Sequence, residues 1–134
     1  MTGSWSSDEL QQIDTTEELH LAAYRADGTP RRETPVWVVR VGEEVYVRTW
    51  YRRDNGWFGH VVNSRRARIS VAGLEVEIAI EDVGAMAELR PGVDAAYLAK
   101  YGRYAGTSVD RMVTAEAAAT TLRLIPDRGR RTGL

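Results

Sequence analysis

The stretch TPVWVVRVGEEVYVRTW, residues 34 to 50, constrains the fold more than any other part of this 134-residue chain. Two runs rich in Val, Trp and Tyr flank Gly42-Glu43, a Gly-X pair suited to a two-residue hairpin turn. That turn predicts Val41 beside Glu44, Val39 beside Tyr46 and Trp37 beside Arg48. Side chains alternate across a strand, so one face carries Val36, Val38, Val45 and Val47. The other carries Trp37, Val39, Tyr46, Arg48 and Trp50. Both faces are apolar, whereas an antiparallel hairpin on a monomer surface usually turns one polar face to water. The second face has to be covered, and a second copy of the chain is the expected cover.

Around this hairpin the pattern is that of a small barrel. SWSSDELQQI predicts a short helix over about 6–13, with Ser6 and Glu9 at capping-box spacing and Trp5 and Leu10 at staple spacing. A strand over 18–26 ends at an Asp27-Gly28 turn. Beyond the hairpin come a helix from Trp57 to about Arg65 and a strand at RISVA. The long strand LEVEIAIEDV follows, alternating Leu74, Val76, Ile78 and Ile80 with Glu75, Glu77 and Glu81. RPGVDAAYLAKYG reads as a helix, residues 107–116 as irregular or a helical turn, and AATTLRLI as a last strand. The expectation is a mainly β (α+β) fold, a six-stranded antiparallel split barrel over residues 1–126 with a frayed basic tail at 127–134.

Composition narrows the function. The chain has no cysteine, which excludes disulfides, thiolate catalysis and cysteine-bound zinc. Its 18 basic and 19 acidic side chains leave a net charge of −1, a poor basis for nonspecific nucleic-acid binding. No apolar run reaches the roughly 18 residues of a membrane span. MTGSWSSDEL lacks a basic region followed by an apolar one, so a cytoplasmic chain is expected. His20 and His60 belong to no metal motif, YGRYAG lacks the Gly-Lys-Ser/Thr ending of a P-loop, and no G-x-S-x-G elbow occurs. The Glu75/Glu77/Glu81 ladder reads as a solvated strand face with no catalytic role.

One segment stands out chemically. VRTWYRRDNGWFGHVV, residues 47–62, sets Arg48, Arg52 and Arg53 among Trp50, Tyr51, Trp57 and Phe58. Arginine forks match phosphate oxygens, and aromatic side chains can line a dry slot for a flat ring. A flavin brings its own redox chemistry and needs little else from a protein. The same residues also fit core anchors with arginines snorkelling over them. Stacking of single-stranded nucleic acid on Trp50 or Trp57 is disfavoured by the neutral balance.

ADGTPRRETPVWVVRVGEEVYVRTW, then a helix and SRRARISV, resembles the flavin-binding split-barrel superfamily, the relatives of pyridoxamine-phosphate oxidase. The resemblance rests on Asp27, Gly28, Pro30, Thr34, Pro35, Val36, Trp37, Thr49, Arg68 and Ile69, in order and spacing over residues 15–126. AYLAKYG is similar to a helix of the deazaflavin-using branches, and VDRMVTAEAAATTLRLIP to a bacterial branch. The resemblance implies a homodimer with FMN or a deazaflavin at its interface and a small-molecule substrate to oxidise or reduce. By this likeness Thr34, Val36 and Trp37 flank the ring, while Arg48, Thr49, Arg52, Arg53 and Trp57 form the phosphate end. The Ser-x-Lys pair that many such oxidases place before the helix is absent, and Trp57 occupies about that region. The alternative is therefore a split barrel that has lost the flavin and serves as a ligand-binding protein or a cofactor-independent enzyme.

Overall fold

The computed structural model describes residues 4–49, 56–71, 73–102 and 108–127. The elements run α1 (Ser7–Thr15), β1 (Leu19–Ala23), β2 (Thr34–Val36), β3 (Val38–Val41), β4 (Glu44–Val47), α2 (Gly56–Ser64), β5 (Arg66–Val71) and β6 (Leu74–Asp82). A 3-10 turn (Ala87–Leu89) then leads into α3 (Arg90–Tyr101), α4 (Ser108–Met112), α5 (Ala115–Ala118) and β7 (Leu122–Pro126). One seven-stranded sheet has the order β2-β1-β5-β6-β7-β4-β3, antiparallel throughout. Its two ends, β2 and β3, are separated in sequence only by Trp37. The strand expected from Thr34 onward thus changes partner at Trp37, from β1 to β4, and nearly closes the sheet into a barrel. Six expected strands become seven by that one break.

The break has a chemical cause outside the strand. Trp37 leaves the ladder to stack on Tyr101 of α3, ring centroids 4.0 Å apart and planes 2° from parallel. The Val38 N–H donates to the Tyr101 hydroxyl at 3.1 Å, and the Val38 carbonyl accepts from Lys100 Nζ at 2.8 Å. The backbone is therefore satisfied at the point where pairing changes hands.

Inside the barrel the two-residue period is obeyed. Leu21, Val36, Val38, Val45, Val47, Ile69, Ile78, Leu122 and Leu124 share one apolar core. α1 closes part of it with Leu10 and Ile13, and α2 adds Val61 with Trp57 and Phe58 packed alongside. The capping box of α1 is formed in both directions, Glu9 N–H to Ser6 Oγ and Ser6 N–H to the Glu9 carboxylate. Trp5, at the staple position, is buried and donates its indole N–H to the Leu124 carbonyl at 3.0 Å.

The hairpin register is as expected, with Val39 facing Tyr46 and Val41 facing Glu44. Its cover at Val39 and Tyr46 comes from the chain itself. Val39 and Tyr46 form a second core with Val93, Tyr97 and Tyr101 of α3 and Val109 and Met112 of α4. Residues 93, 97 and 101 recur at helical spacing and give α3 one apolar face, which lies on the hairpin.

The last strand begins later than expected, at Leu122. Thr114 caps α5 through the Ala117 N–H, and the Thr120 and Thr121 hydroxyls donate back to the carbonyls of Ala117 and Ala118. These side-chain bonds offer the backbone a local alternative to the ladder. α2 likewise ends one residue early, because Arg65 takes a left-handed φ of 61° and β5 starts at once. The basic tail from residue 128 and the expected turn at Asp54-Asn55 lie outside the described residues.

Candidate functional site

Arg48 follows the last residue of β4 and points away from water, its side chain 0% exposed. Nε donates to Thr121 Oγ1 at 2.8 Å, and Nη1 donates to Asp94 Oδ1 at 2.5 Å and to the Met112 carbonyl at 2.8 Å. The guanidinium lies 5.7 Å from the centre of the Tyr97 ring. Among the described residues Nη2 has no hydrogen-bond partner. Asp94 is shared, since Arg90 Nε reaches its other oxygen at 3.3 Å while Arg90 Nη2 donates to the Val113 carbonyl. A buried cation held by a carboxylate and two further acceptors is an internal tie between β4, α3, α4 and the start of β7.

Thr49 is buried beside it, and its N–H donates to Thr120 Oγ1 at 3.0 Å. Thr120 Oγ1 also lies 2.9 Å from the Thr49 carbonyl and 2.6 Å from that of Ala117. The segment that leaves Thr49 carries Trp50, Arg52 and Arg53, which lie outside the described residues. The described chain resumes at Gly56, the first residue of α2, with a φ of 72°. Trp57 follows, half-buried, edge-on to Phe58 at 5.7 Å. The first N–H groups of such a helix point at whatever precedes it and favour an anion there.

The remaining expected positions lie along the broken strand. Thr34 is half-buried opposite Leu21, Val36 is buried in the barrel, and Trp37 is half-buried on Tyr101. Arg48 and Thr49, consecutive in the chain, follow β4, and Trp37 lies on the opposite side of the hairpin from Val36. Behind Trp37, Lys100 Nζ donates to the carbonyls of Ile13 and Val38, both at 2.8 Å. Burial pulls its pKa down to about 8, with Asp14 opposing. Burial also pushes the Tyr97 hydroxyl well above the ordinary tyrosine range.

A polar group gathers on the outer face of β1, β5 and β6, where Glu77, expected on a solvated strand face, is half-buried. The Tyr24 hydroxyl donates to the Glu77 carboxylate at 2.6–2.7 Å, and the Arg66 guanidinium lies 5.3 Å from the Tyr24 ring. Burial first, and then the carboxylate, push Tyr24 up to about 12. Arg68 stands opposite Glu77, and among the described residues the buried Nε atoms of Arg31, Arg66 and Arg68 have no hydrogen-bond partner. The signal was the alternation in RARISV, which puts both β5 arginines on the face away from the core. On the same ladder Glu81 accepts from Arg123 at 2.9 Å, while His20 is exposed and His60 half-buried. Among the described residues no three His, Asp or Glu side chains gather as a metal set, and no helix is long and apolar enough to cross a membrane.

The fold recurs in solved structures. The conserved hypothetical protein Rv2991 from Mycobacterium tuberculosis aligns over 99% of this chain and 90% of that one, at 16% identity and a TM-score of 0.58. A FAD-binding protein from Mesorhizobium loti aligns over 94% and 91%, at 14% identity and 0.56. An F420 reductase aligns over 87% and 90%, at 19% identity and 0.50. At these identities the likeness speaks for the fold alone, the antiparallel split barrel. No curated protein matches the chain. The family described as "Uncharacterized protein conserved in bacteria (DUF2255)" matches residues 9–124, and the chain belongs to that family.

Proposed function

We propose that this chain is a cytoplasmic, homodimeric split-barrel oxidoreductase that holds FMN or a deazaflavin and acts on a small molecule. The observation that carries this reading is how the chain enters and leaves segment 50–55. Thr49 is clasped at one end, and the first turn of α2, with half-buried Trp57, stands at the other. Between them the sequence supplies Arg52 and Arg53, two cations for a phosphate. The likeness of fold to a FAD-binding protein and an F420 reductase supports the same ligand class.

The residues fit such a group in part. Thr49, Arg52, Arg53 and the opening N–H groups of α2 would hold the phosphate, and Trp57, Trp37 and Thr34 would border the ring. Arg48 is already engaged by Asp94, Thr121 and Met112. When bound, the cofactor supplies the hydride or electron transfer, and the chain supplies orientation and exclusion of water. That engagement of Arg48 favours the alternative, a split-barrel ligand-binding protein or cofactor-independent enzyme, to the extent that it removes one phosphate cation.

Titration of wild type, Arg52→Ala and Arg53→Ala with FMN, and with riboflavin as the phosphate-free control, separates these readings. A charge-assisted hydrogen bond contributes roughly 1.5–3 kcal/mol, so at least one variant should lose about ten- to a hundredfold in FMN affinity. Riboflavin affinity should stay level. No flavin or deazaflavin binding by wild type would leave the ligand-binding alternative standing. Light scattering at micromolar concentration tests the dimer.

A further inference from the structure

We infer that the cavity between the 83–89 loop and α5 is a binding site for a small monocarboxylate, with Arg90 receiving the carboxylate. The inference does not depend on the flavin reading. The cavity measures about 180 Å³, walled by Val83, Met86 and Leu89 on one side and by Ala115, Ala118 and Ala119 on the other. Its walls are held in place by their own backbone. The Val83 N–H donates to the Thr121 carbonyl, and the Met86 and Leu89 N–H groups donate to the carbonyls of Val83 and Met86. At Gly84 the walls touch, since a Cβ there would lie 1.9 Å from the Ala119 carbonyl oxygen. The alanines leave the remaining space open. An apolar cavity of ~150 Å³ accommodates benzene, so this one suits a body of about four to six carbons.

Among the described residues that line the cavity, Arg90 is the one charged side chain. Its charge is poorly matched from within the protein. Arg90 Nε lies 3.3 Å from Asp94 Oδ2, long for a charge-assisted hydrogen bond, while Arg48 Nη1 takes the other oxygen at 2.5 Å. Two cations thus share one anion, an excess of one positive charge. Arg90 Nη2 donates to the Val113 carbonyl, and among the described residues Nη1 has no partner and is the group left for a ligand. Asp82, Glu88 and Glu116 stand nearby in the chain but do not line the cavity, and Asp82 is turned to the Gly84 N–H at 3.0 Å. An apolar chamber with one cation selects a ligand with an apolar body and one negative end. A carboxylate matches the guanidinium fork. A phosphate monoester would bring a second negative charge that meets no second cation on the lining.

Titration with valerate, followed at the Met86 ε-methyl resonance, tests the site, with valeramide as the neutral isostere and pentylammonium as the cation. Met86 lines the cavity, and Met112, buried in the outer core, is the internal reference. Valerate should give a saturable shift at Met86 with a Kd on the order of 1 mM, as suits about seven non-hydrogen atoms, and leave Met112 level. Valeramide should bind roughly tenfold more weakly, and pentylammonium should not bind. Arg90→Gln should lower valerate to the level of valeramide, and Arg90→Lys should keep most of the affinity. Ala115→Leu, at an exposed position on the cavity wall, should abolish binding of both. No shift at Met86 up to about 50 mM valerate would overturn the site. Equal affinity for valerate and valeramide in wild type, or unchanged valerate affinity in Arg90→Gln, would overturn the carboxylate assignment. The wild-type series and Ala115→Leu decide the matter even if Arg90→Gln does not fold.

Discussion

The two sides of the β3–β4 hairpin are built on different principles. The inner side joins a core whose buried members are apolar and alternate with outward residues. The outer side, under α3, mixes Val39, Tyr46, Val93 and Met112 with Arg48, Tyr97, Tyr101 and Lys100; Arg48, Tyr101 and Lys100 donate to main-chain carbonyls, while the Tyr97 ring lies against the Arg48 guanidinium. A core of the first kind depends on volume and tolerates apolar exchange. A core of the second kind depends on particular acceptors, and each lost partner strands a buried polar group.

The largest break should come at Asp94. Asp94→Ala leaves the Arg48 cation buried without its carboxylate, and such losses cost about 3–5 kcal/mol. Partial exposure of Asp94, 23%, places the expected value near the lower end. The double variant Arg48→Met/Asp94→Leu removes both charges, and denaturant unfolding should show it recovering most of that loss. If the single variant were as stable as wild type, the outer core would be held by volume like the inner one.

A smaller effect is expected at Tyr101. Its hydroxyl donates to the Glu17 carbonyl at 2.6 Å and accepts from the Val38 N–H. Tyr101→Phe should cost about 1–3 kcal/mol by leaving those groups unsatisfied. Ile78→Val in the barrel, a loss of one methylene, should cost about 0.5–1.5 kcal/mol. Equal melting shifts in the two variants would blur the contrast between the cores.

The smallest effect is a pH dependence. The Lys100 pKa of about 8 lies below its ordinary 10.5, so from pH 8 upward the unfolded chain binds more protons than the folded one. Stability from this group should therefore rise with pH through 8 and toward 10.5. Tyr24, pushed up from 10.0 to about 12, acts in the opposite sense above pH 10. The net rise is confined to about pH 8–10, and solvent screening keeps it modest. Lys100→Met should flatten that stretch of a melting-temperature profile, and an identical slope in the variant would assign it elsewhere.

Much of the fold was legible because its causes are local. Gly42-Glu43 dictated a two-residue turn and with it the hairpin register, and Ser6 with Glu9 dictated the start of α1. Trp37 was not legible as a break, since nothing in Val36-Trp37-Val38 signals one. The residues that draw it out of the ladder, Lys100 and Tyr101, lie more than sixty positions away. The face of α3 could be read from residues 93, 97 and 101, but not the surface it covers, and so a partner copy was expected where α3 lies.

By itself the sequence determined which residues alternate, where turns and caps fall, and that arginines and aromatics crowd positions 48–58. Tertiary structure alone decided that Arg48 is internal. Arg48 looks like its neighbours in the chain, yet its partners Asp94 and Thr121 stand 46 and 73 residues away. Periodicity and turn chemistry act within a few residues and leave a trace in the sequence. The burial of a charge depends on which distant acceptor the topology delivers to it.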